Sequence, residues 1–531
     1  MKNIKNLLLA STLASVALVG CNDLDTEPIG STISSSQKQD VIAKDPAMIK
    51  ASATAIYAIG NTYNLLGSSA HDDYGYGSLM MLMEHRGQDM LSFDSGYNWY
   101  NYEMILDDHD YSWKFTRMFW TQMYSQIYAA NQLVMVIDPA TEDNDLMFYL
   151  AQAHGMRAFA YFNLAQMYQF TYKGNENKPC VPLLLDTNAD VVATEGCARS
   201  TVEEVYAQIM QDLNTTVSLL EKTTLSRPDK RYMDAGVAYG LRARVNLVMN
   251  KWAEAASDAQ NALTLSGATP YTLSEVSVPN INDLGHNAWI WGVLIEETDR
   301  VVTSGIVNWP SHMGSFNYGY ASVGAWRMIN KKLYNSIPQT DVRKGWFLDE
   351  NGLSANLSKA QQDYITNKVG APAYTQVKYA PYGGELGTST NACDVPLMRA
   401  EEMYLIMAEA QAMSGNATQG AATLQTFVNT YRDPAYVCRA TTPESVQEAV
   451  WNQRRIELWG EGFSYFDLLR LKKGIDRRGG GYEAHLVYNI QPNDPILIYM
   501  IPQSEIQSNA LISENDNNES AGIPTPVADV E

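Results

Sequence analysis

The sequence predicts a mainly α-helical protein in which paired helices form a scaffold and a loop-rich second lobe contains short strands. Three observations predict this fold class. Apolar residues recur at helical spacing in several long segments, turn residues split some of these segments into pairs, and a long central region lacks the helical period. Apolar residues make up 46% of the 531 residues and charged residues 18%, so we expect a large core.

Two long helices are predicted in the first third of the chain. The apolar residues of the first step by three or four positions and are Phe119, Met123, Ile127, Ala130 and Val134. The second helix repeats this stripe with Met156, Ala160, Leu164 and Met167. Each stripe covers one face of a helix, so both helices are expected to pack against a core.

Two further helix pairs resemble tetratricopeptide hairpins, in which small residues let neighbouring helices approach closely. The first pair flanks the turn Asn250-Lys251, and its apolar residues are Ala238, Leu241, Val245 and Val248, then Trp252, Ala255, Ala259 and Ala262. The second pair flanks Gly415-Asn416, with Leu397, Ala400, Tyr404, Met407 and Ala408, then Ala421, Leu424, Val428 and Tyr431. Roughly 140 residues lie between the pairs, so a simple tandem solenoid is excluded.

Two zones of the sequence read as loops rich in aromatic residues. Residues 266–393 are rich in Gly, Ser, Asn, Pro, Tyr and Trp, with a strand-like alternation at Trp289, Trp291, Val293 and Ile295. A similar zone covers 71–112. Because loops on a rigid scaffold usually carry binding residues, we expect a helical scaffold mainly in 113–262 and 394–475 and a ligand lobe in the two loop zones.

The N-terminus predicts export and a lipid anchor. Lys2 and Lys5 precede an apolar run at 7–19 that is too short to span a bilayer. The run ends in Leu18-Val19-Gly20-Cys21, which resembles a bacterial lipobox. We therefore expect a signal peptide at 1–20, lipidation of Cys21, a flexible tether at 21–40 and a globular unit at 41–531. An ordinary signal peptide with a chance cysteine is the alternative.

Charge and ring composition narrow the class of ligand. The chain has 38 Lys+Arg against 59 Asp+Glu, a formal charge of −21, so nucleic acid is excluded as a favoured partner and anionic polysaccharides are disfavoured. It has 32 Tyr and 11 Trp against only 12 Phe. Most rings thus carry a polar group, which favours rings at wet surfaces.

Several groups of residues could support other chemistry. Glu457, Glu461 and Asp467 could act as acid and base in glycoside hydrolysis, but nearby Arg454 and Arg455 favour structural ion pairs. The acidic stretches 71–73 and 107–110 could hold a metal such as a structural calcium ion, although neither has a known ligand spacing. We expect no cofactor, because hydrolase, NTPase and dinucleotide motifs do not occur in the sequence. Cys180 and Cys197 could form a disulfide, an interpretation that stays open.

The order of these segments resembles the SusD-like (SusD/RagB) lipoproteins of Bacteroidetes. The blocks that carry the resemblance are Trp120 and Tyr124 with Ala130-Asn131, Arg157-Ala158-Phe159-Ala160-Tyr161-Phe162, Val181-Pro182-Leu183, and Pro396-Leu397-Met398-Arg399-Ala400-Glu401-Glu402. The most specific blocks are Arg454-Arg455-Ile456-Glu457-Leu458-Trp459-Gly460-Glu461-Gly462, Tyr465-Phe466-Asp467-Leu468-Leu469-Arg470 and Ile501-Pro502-Gln503-Ser504-Glu505-Ile506. The resemblance thins in the two loop zones.

The resemblance implies a non-enzymatic protein on the cell surface. Similar proteins are anchored by lipid in the outer membrane, face the cell exterior, and capture oligosaccharides or polysaccharides for a SusC-like TonB-dependent transporter. Similar proteins also draw ligand-binding aromatics from the two loop zones. The zone residues that combine rings with neighbouring amides, and that we expect to contact ligand, are Tyr97, Trp99, Tyr100, Trp309, Tyr318, Tyr320 and Trp326. A peptide or protein-fragment binder in the same kind of complex is the alternative, and an anchored hydrolase is a third hypothesis.

Overall fold

A computed structural model describes residues 46–93 and 95–530. The predicted signal peptide (1–20), Cys21 and the tether (21–40) lie outside the described residues. The chain divides into two units after Ala51, and the second unit begins at Ser52. Residues 46–51 are the described part of the first unit, and all elements after the first helix belong to the second.

Helices dominate the part of the chain that the structure describes. The longer ones are α1 Pro46–Ala58, α2 Tyr76–Arg86, α4 Lys114–Val134, α5 Asn144–Tyr168, α7 Val202–Lys222, α8 Ala235–Val248, α9 Trp252–Ser266, α14 Ala400–Met413, α15 Ala417–Tyr431 and α16 Pro443–Glu457. The short ones are α3 Asn101–Ile105, α6 Ala189–Glu195, α10 Arg300–Thr303, α11 Trp309–Met313, α12 Lys331–Ser336, α13 Lys359–Tyr364, α17 Ser464–Arg470 and α18 Gln503–Ser508.

Within residues 46–93 and 95–530, short strands form four antiparallel two-stranded sheets. The pairs are β1 Met90–Leu91 with β5 Met328–Ile329, β2 Pro179–Pro182 with β3 Arg199–Thr201, β4 Trp289–Val293 with β6 Val395–Arg399, and β7 Ile475–Asp476 with β8 Asn489–Ile490. The β1–β5 pair joins the two aromatic loop zones, because Met90 lies opposite Ile329. The β4–β6 pair joins the second zone to the start of α14.

The long helices pack in sequence order into one array. Helix α4 packs on α5, α5 on α7, α7 on α8 and α8 on α9, and α14 packs on α15 and α16. Helix α9 also packs on α14, so the two tetratricopeptide-like pairs stack directly although most of the second loop zone separates them in sequence. The predicted mainly α-helical scaffold of helix pairs is confirmed.

Local sequence explains how these helices begin and pack. The hydroxyl of Thr201 accepts the amide of Glu204, and the Glu204 carboxylate accepts the Thr201 amide, so a capping box starts α7. Gly420 in α15 lies against α14, where an added Cβ would be 2.5 Å from the carbonyl oxygen of Ala408. Small residues thus allow the close helix contact that the sequence predicted.

The structure corrects three local predictions. Helix α2 lies inside the zone predicted to be loop, and all its residues except Tyr76 are buried, so its sequence shows no helical stripe. Leu397 lies in β6 rather than in the following helix, which begins at Ala400. Cys180 and Cys197 are free thiols, so the disulfide is not formed. No helix among the described residues is long and apolar enough to cross a membrane.

Candidate ligand-binding surface

The two aromatic loop zones meet at one face of the protein. The rings of Trp99 and Tyr320 lie with centroids 6.2 Å apart and planes inclined by 70°. The hydroxyl of Ser95 donates to the carbonyl oxygen of Gly324 over 3.5 Å. Because the β1–β5 pair fixes the same two segments behind this contact, rings from distant parts of the chain are held side by side.

We call the rings of His71, Tyr97, Trp99, Tyr318 and Tyr320 the ring surface. His71 stacks on Trp99 at 5.0 Å and 24°, and its Nδ1 hydrogen-bonds the Tyr320 hydroxyl. Tyr97 and Tyr318 are 53% and 56% exposed, whereas His71 and Trp99 are half-buried. The ring surface therefore presents two exposed tyrosines beside a stacked, partly covered His–Trp pair.

Gly324 fixes the place of Tyr97. Its φ of +138° lies in the region that favours glycine, and an added Cβ would stand 3.2 Å from Cδ2 of Tyr97. The Tyr97 ring thus lies directly against the backbone of the second zone. A side chain at position 324 would push the exposed ring away from this position.

Two of the predicted ligand-contacting residues are core residues, so that prediction is wrong for them. Tyr100 is 0% exposed, and its hydroxyl donates to the hydroxyl of Tyr74 over 2.7 Å. Trp309 is 3% exposed and packs edge-on against Tyr379 with centroids 4.9 Å apart. A polar group on a ring does not require exposure when, as for Tyr100, it finds a partner inside the protein.

Tyr320 and Trp326 lie mainly beneath or beside the exposed rings. Tyr320 is largely buried and stacks on His312 at 4.7 Å and 26°. Trp326 is half-buried and meets Phe93 edge-on at 5.9 Å, within a cluster that includes Leu91. Both residues support the face, and their contact with a ligand stays a prediction.

A buried arginine links the two zones below the ring surface. Arg327 Nη1 donates to Asn98 Oδ1 over 2.9 Å and lies 2.9 Å from His85 Nε2, while Arg327 Nε donates to the carbonyl oxygen of His312 over 2.7 Å. Burial lowers the pKa of Arg327 to about 10. Burial, reinforced by Arg327, also holds the pKa of His85 and of His312 well below the usual range, so both imidazoles are neutral.

An ion pair borders the ring surface. Lys114 Nζ contacts both carboxylate oxygens of Asp72 at 2.5 Å, and Asp72 is the neighbour of His71. Burial raises the pKa of Asp72, and the Lys114 ammonium offsets part of that rise. The side chain of Lys114 is partly exposed, so the pair forms a polar edge next to the stacked rings.

The acidic stretches do not form a metal site in the part of the chain that the structure describes. There, no group of three or more His, Cys, Asp or Glu side chains is placed to hold a metal ion. Asp72 is paired with Lys114, and one carboxylate oxygen of Asp73 accepts the amide of Leu66 over 2.8 Å. Burial lowers the pKa of His109 to about 4. These residues hold neighbouring loops.

The C-terminal carboxylates form structural ion pairs, mostly with partners other than those predicted. Glu457 accepts from Arg432 Nε at 2.7 Å and from Arg343 Nη1 at 3.2 Å, and both of its oxygens are buried. Glu461 pairs with Lys378 at 2.6 Å and with Arg399 at 2.7 Å. Every one of these carboxylate oxygens faces a buried cation, so neither glutamate is free to act as an acid or a base.

Asp467 also forms structural ion pairs, and one of its partners is a predicted one. Its two oxygens bind Arg454 Nε at 2.6 Å and Arg470 Nε at 2.7 Å. Arg455, the other predicted partner, binds Asp89 instead at 2.5 Å. Structural ion pairs thus explain the three carboxylates, as the sequence indicated. Most of their partners, however, are distant in the sequence.

Sequence reasoning missed His71 and Arg327 as parts of the site. In the sequence His71 begins an acidic stretch, and Arg327 follows the predicted Trp326 without any motif around it. Their roles come from contacts with residues 28 or more positions away, at Trp99, Asn98 and Tyr320. The signals available in the sequence were that His71 opens the first aromatic loop zone and that Arg327 follows Trp326.

Family models match most of the chain in two segments. Residues 56–247 match a SusD-like model described as starch-binding associating with outer membrane. Residues 321–517 match the SusD family model. The first match contains α2, Trp99 and the helices from α4 to nearly the end of α8. The second contains α14, α15 and α16 with Arg327, and α9 lies between the two matches.

Individual relatives extend over nearly the full length. The SusD-like protein P2 of Formosa agariphila is 24% identical over 518 residues, which cover 92% of this chain and 94% of that protein. A SusD-like carbohydrate-binding protein from Bacteroides vulgatus has a solved structure with a TM-score of 0.74 at 21% identity, covering 90% of this chain and 99% of the other.

A third similar structure is that of a laminarin-binding SusD-like protein. Its TM-score is 0.61 at 18% identity, and the match covers 90% of this chain and 99% of that one. At these sequence identities the solved structures establish the fold alone. The two family models, which match the sequence itself, establish the family. The chain belongs to the SusD-like (SusD/RagB) family.

Proposed function

We propose that this protein is a surface glycan-binding lipoprotein that holds oligosaccharide or polysaccharide chains on its ring surface. The observation that carries the proposal is the meeting of two loop zones in one set of rings, two of them more than half exposed. A sugar presents C–H groups to a flat ring and hydroxyls to polar neighbours. Tyr97, Tyr318 and the partly covered Trp99 supply the rings, and the partly exposed side chains of Lys114 and His71 supply polar groups beside them.

The relatives support this ligand class. One similar structure is that of a laminarin-binding protein, and one matching family model is described as starch-binding. The formal charge of −21 favours uncharged over anionic glycans. We infer binding without catalysis, because the candidate carboxylates are occupied by buried arginines and lysine.

The test is retardation of the unlipidated protein in gels that contain host, plant or microbial polysaccharides. We expect retardation by at least one neutral glycan and its loss in Trp99→Ala, because removing a large ring at the centre of a contact typically costs 2 kcal/mol or more, about 30-fold in affinity. Tyr128→Ala removes an exposed ring from helix α4 and is the matched control. Failure of every polysaccharide to retard the protein, with peptides co-purifying instead, would favour the peptide-binding alternative.

We further propose that the protein delivers its glycan to a SusC-like TonB-dependent transporter while anchored in the outer membrane through Cys21. The lipobox and the family support this placement. Cys21→Ala is expected to release the protein from the membrane fraction, whereas Cys438→Ala, which changes another free cysteine, is expected to leave it there. The intact lipoprotein should co-purify with a transporter from detergent extracts, and its isolation alone would contradict the partnership.

A further inference from the structure

A second pair of exposed rings lies outside the ring surface. Tyr102 is 50% exposed and Trp113 is 36% exposed, and their centroids are 5.3 Å apart with planes inclined by 35°. Among the described residues, neither the Tyr102 hydroxyl nor the Trp113 indole N–H has a hydrogen-bond partner. Two adjacent large rings with free polar groups at the surface are typical of an interaction site.

The backbone brings these two rings together. Tyr102 is the second residue of α3, and Trp113 directly precedes α4. Leu106, with φ of 63°, ends α3 in the left-handed region and turns the chain back. The amide of Asp107 then donates to the carbonyl oxygen of Tyr102 over 3.0 Å. The pair is therefore held by a fixed turn.

The pair is linked to the ring surface in two ways. Tyr102 follows Trp99 by three residues, so their Cα atoms are at most about 11 Å apart. On the other route, Lys114 follows Trp113 and binds Asp72, whose neighbour His71 stacks on Trp99. The Lys114–Asp72 ion pair thus connects the chain segments that carry the two groups of rings.

We propose that Tyr102 and Trp113 form a second subsite that extends the ring surface, so that the protein takes an extended, uncharged glycan chain rather than a mono- or disaccharide. The inference rests on the proposed function and adds to it a second pair of ligand-binding rings and a dependence of affinity on ligand length. The rings of the two groups stack on separate sugars of one chain, and the partly exposed Lys114 ammonium is available to the hydroxyls between them. The turn that carries the second pair also carries Asp107 and Asp110, which disfavour anionic sugars.

The experiment measures affinity by calorimetry for size-fractionated oligosaccharides, from disaccharide upward. They are prepared from each polysaccharide that retards the protein in the gel panel. For the wild type we expect affinity to rise with chain length. Trp113→Ala and Tyr102→Ala should leave the affinity for the shortest bound oligosaccharide unchanged and lower that for the longest by about tenfold or more. Trp99→Ala should lower affinity at every length.

Two control variants test whether the loss of affinity comes from the missing ring at the second subsite. Trp113→Phe keeps a ring and should retain most of the length dependence. Tyr128→Ala removes an exposed ring that lies 14 residues, about 21 Å, along helix α4 from Lys114, and should match the wild type. Because Tyr102 and Trp113 are only partly exposed, the thermal unfolding of each variant is measured to show that it is folded at the temperature of the binding assay.

The outcomes distinguish the inference from the proposed function. Equal affinity of wild type and Trp113→Ala at all lengths, with Trp99→Ala still impaired, would overturn the second subsite and leave the ring surface in place. Unchanged affinity in Trp99→Ala would overturn the ring surface itself. Tighter binding of a sulfated or uronic oligosaccharide than of its neutral counterpart would contradict the expected ligand charge.

Discussion

Replacing Glu457 by Gln tests whether the C-terminal carboxylates are structural. The substitution keeps the shape of a side chain that is fully buried and removes its charge. Arg432 donates to both oxygens of Glu457 over 2.7 and 2.9 Å, and Arg343 donates over 3.2 Å. A glutamine offers one acceptor oxygen and turns an N–H₂ group towards these donors. Removing one partner of a buried ion pair costs about 3–5 kcal/mol, so we expect a loss of stability of this order.

The control variant lies on the same helix. Glu448 in α16 binds Lys473 Nζ over 2.9 Å, but both side chains are substantially exposed. Glu448→Gln makes the same chemical change and is expected to cost less than about 1 kcal/mol, because exposed ion pairs contribute little. Urea denaturation followed by circular dichroism measures both variants. Equal denaturation midpoints for the two variants would refute the assignment of Glu457 as a structural charge.

The pH dependence of the Glu457→Gln effect has a definite sign. Burial opposes ionisation of Glu457, but Arg432 and the other arginines outweigh it and hold its pKa below the usual range. A carboxyl with a lowered folded pKa stabilises the protein above its unfolded pKa, about 4.3, and loses that effect as the pH falls towards the folded value. The stability gap between wild type and variant should therefore be constant from pH 7 to about pH 5 and narrow on further acidification. A gap that widened with acid would contradict this explanation.

Three further substitutions test the buried polar groups. Burial raises the pKa of Glu84 to about 8, so the folded protein keeps this proton while the unfolded chain loses it above about pH 4.3. Urea denaturation should therefore show Glu84→Gln gaining stability relative to wild type as the pH rises from 5 to 8. A stability difference that falls over this range would contradict a raised pKa in the folded protein. Arg327→Met removes the donor to Asn98 and should cost about 1–3 kcal/mol in the same assay, whereas an unchanged midpoint would show that the link is unimportant. Tyr100→Phe should lose about 1 kcal/mol with the hydrogen bond to Tyr74 and leave glycan retardation unchanged, since a weakened retardation would restore Tyr100 as a ligand contact.

The helical scaffold was predictable from sequence because it depends on local periodicity. The stripe from Phe119 to Ala130 is buried along α4 as expected, and the turn at Asn250 separates α8 from α9. Helix α2 was not predictable from periodicity, because a helix buried on all sides needs no polar face. The sequence also contains no local signal that α9 would pack on α14, since that contact joins segments separated by the second loop zone.

The candidate site was predictable by zone but not by residue. Tyr97 and Tyr318 are exposed, whereas Tyr100, three residues after Tyr97 in the same aromatic run, is fully buried. Composition cannot separate such neighbours, because the exposure of a ring depends on packing against distant segments, as for Tyr100 against Tyr74. Arg327 shows the same limit, since its importance comes from contacts with His312 and with residues more than 200 positions earlier in the chain.

The most direct test of the ring surface is a crystal structure of the unlipidated protein with the glycan that retards it most strongly. We expect sugar rings stacked against Trp99 and against at least one of Tyr97 and Tyr318, with hydroxyls near the Lys114–Asp72 pair. Glycan bound at another face, with these three rings free of it, would contradict the proposal that the two loop zones form the binding site.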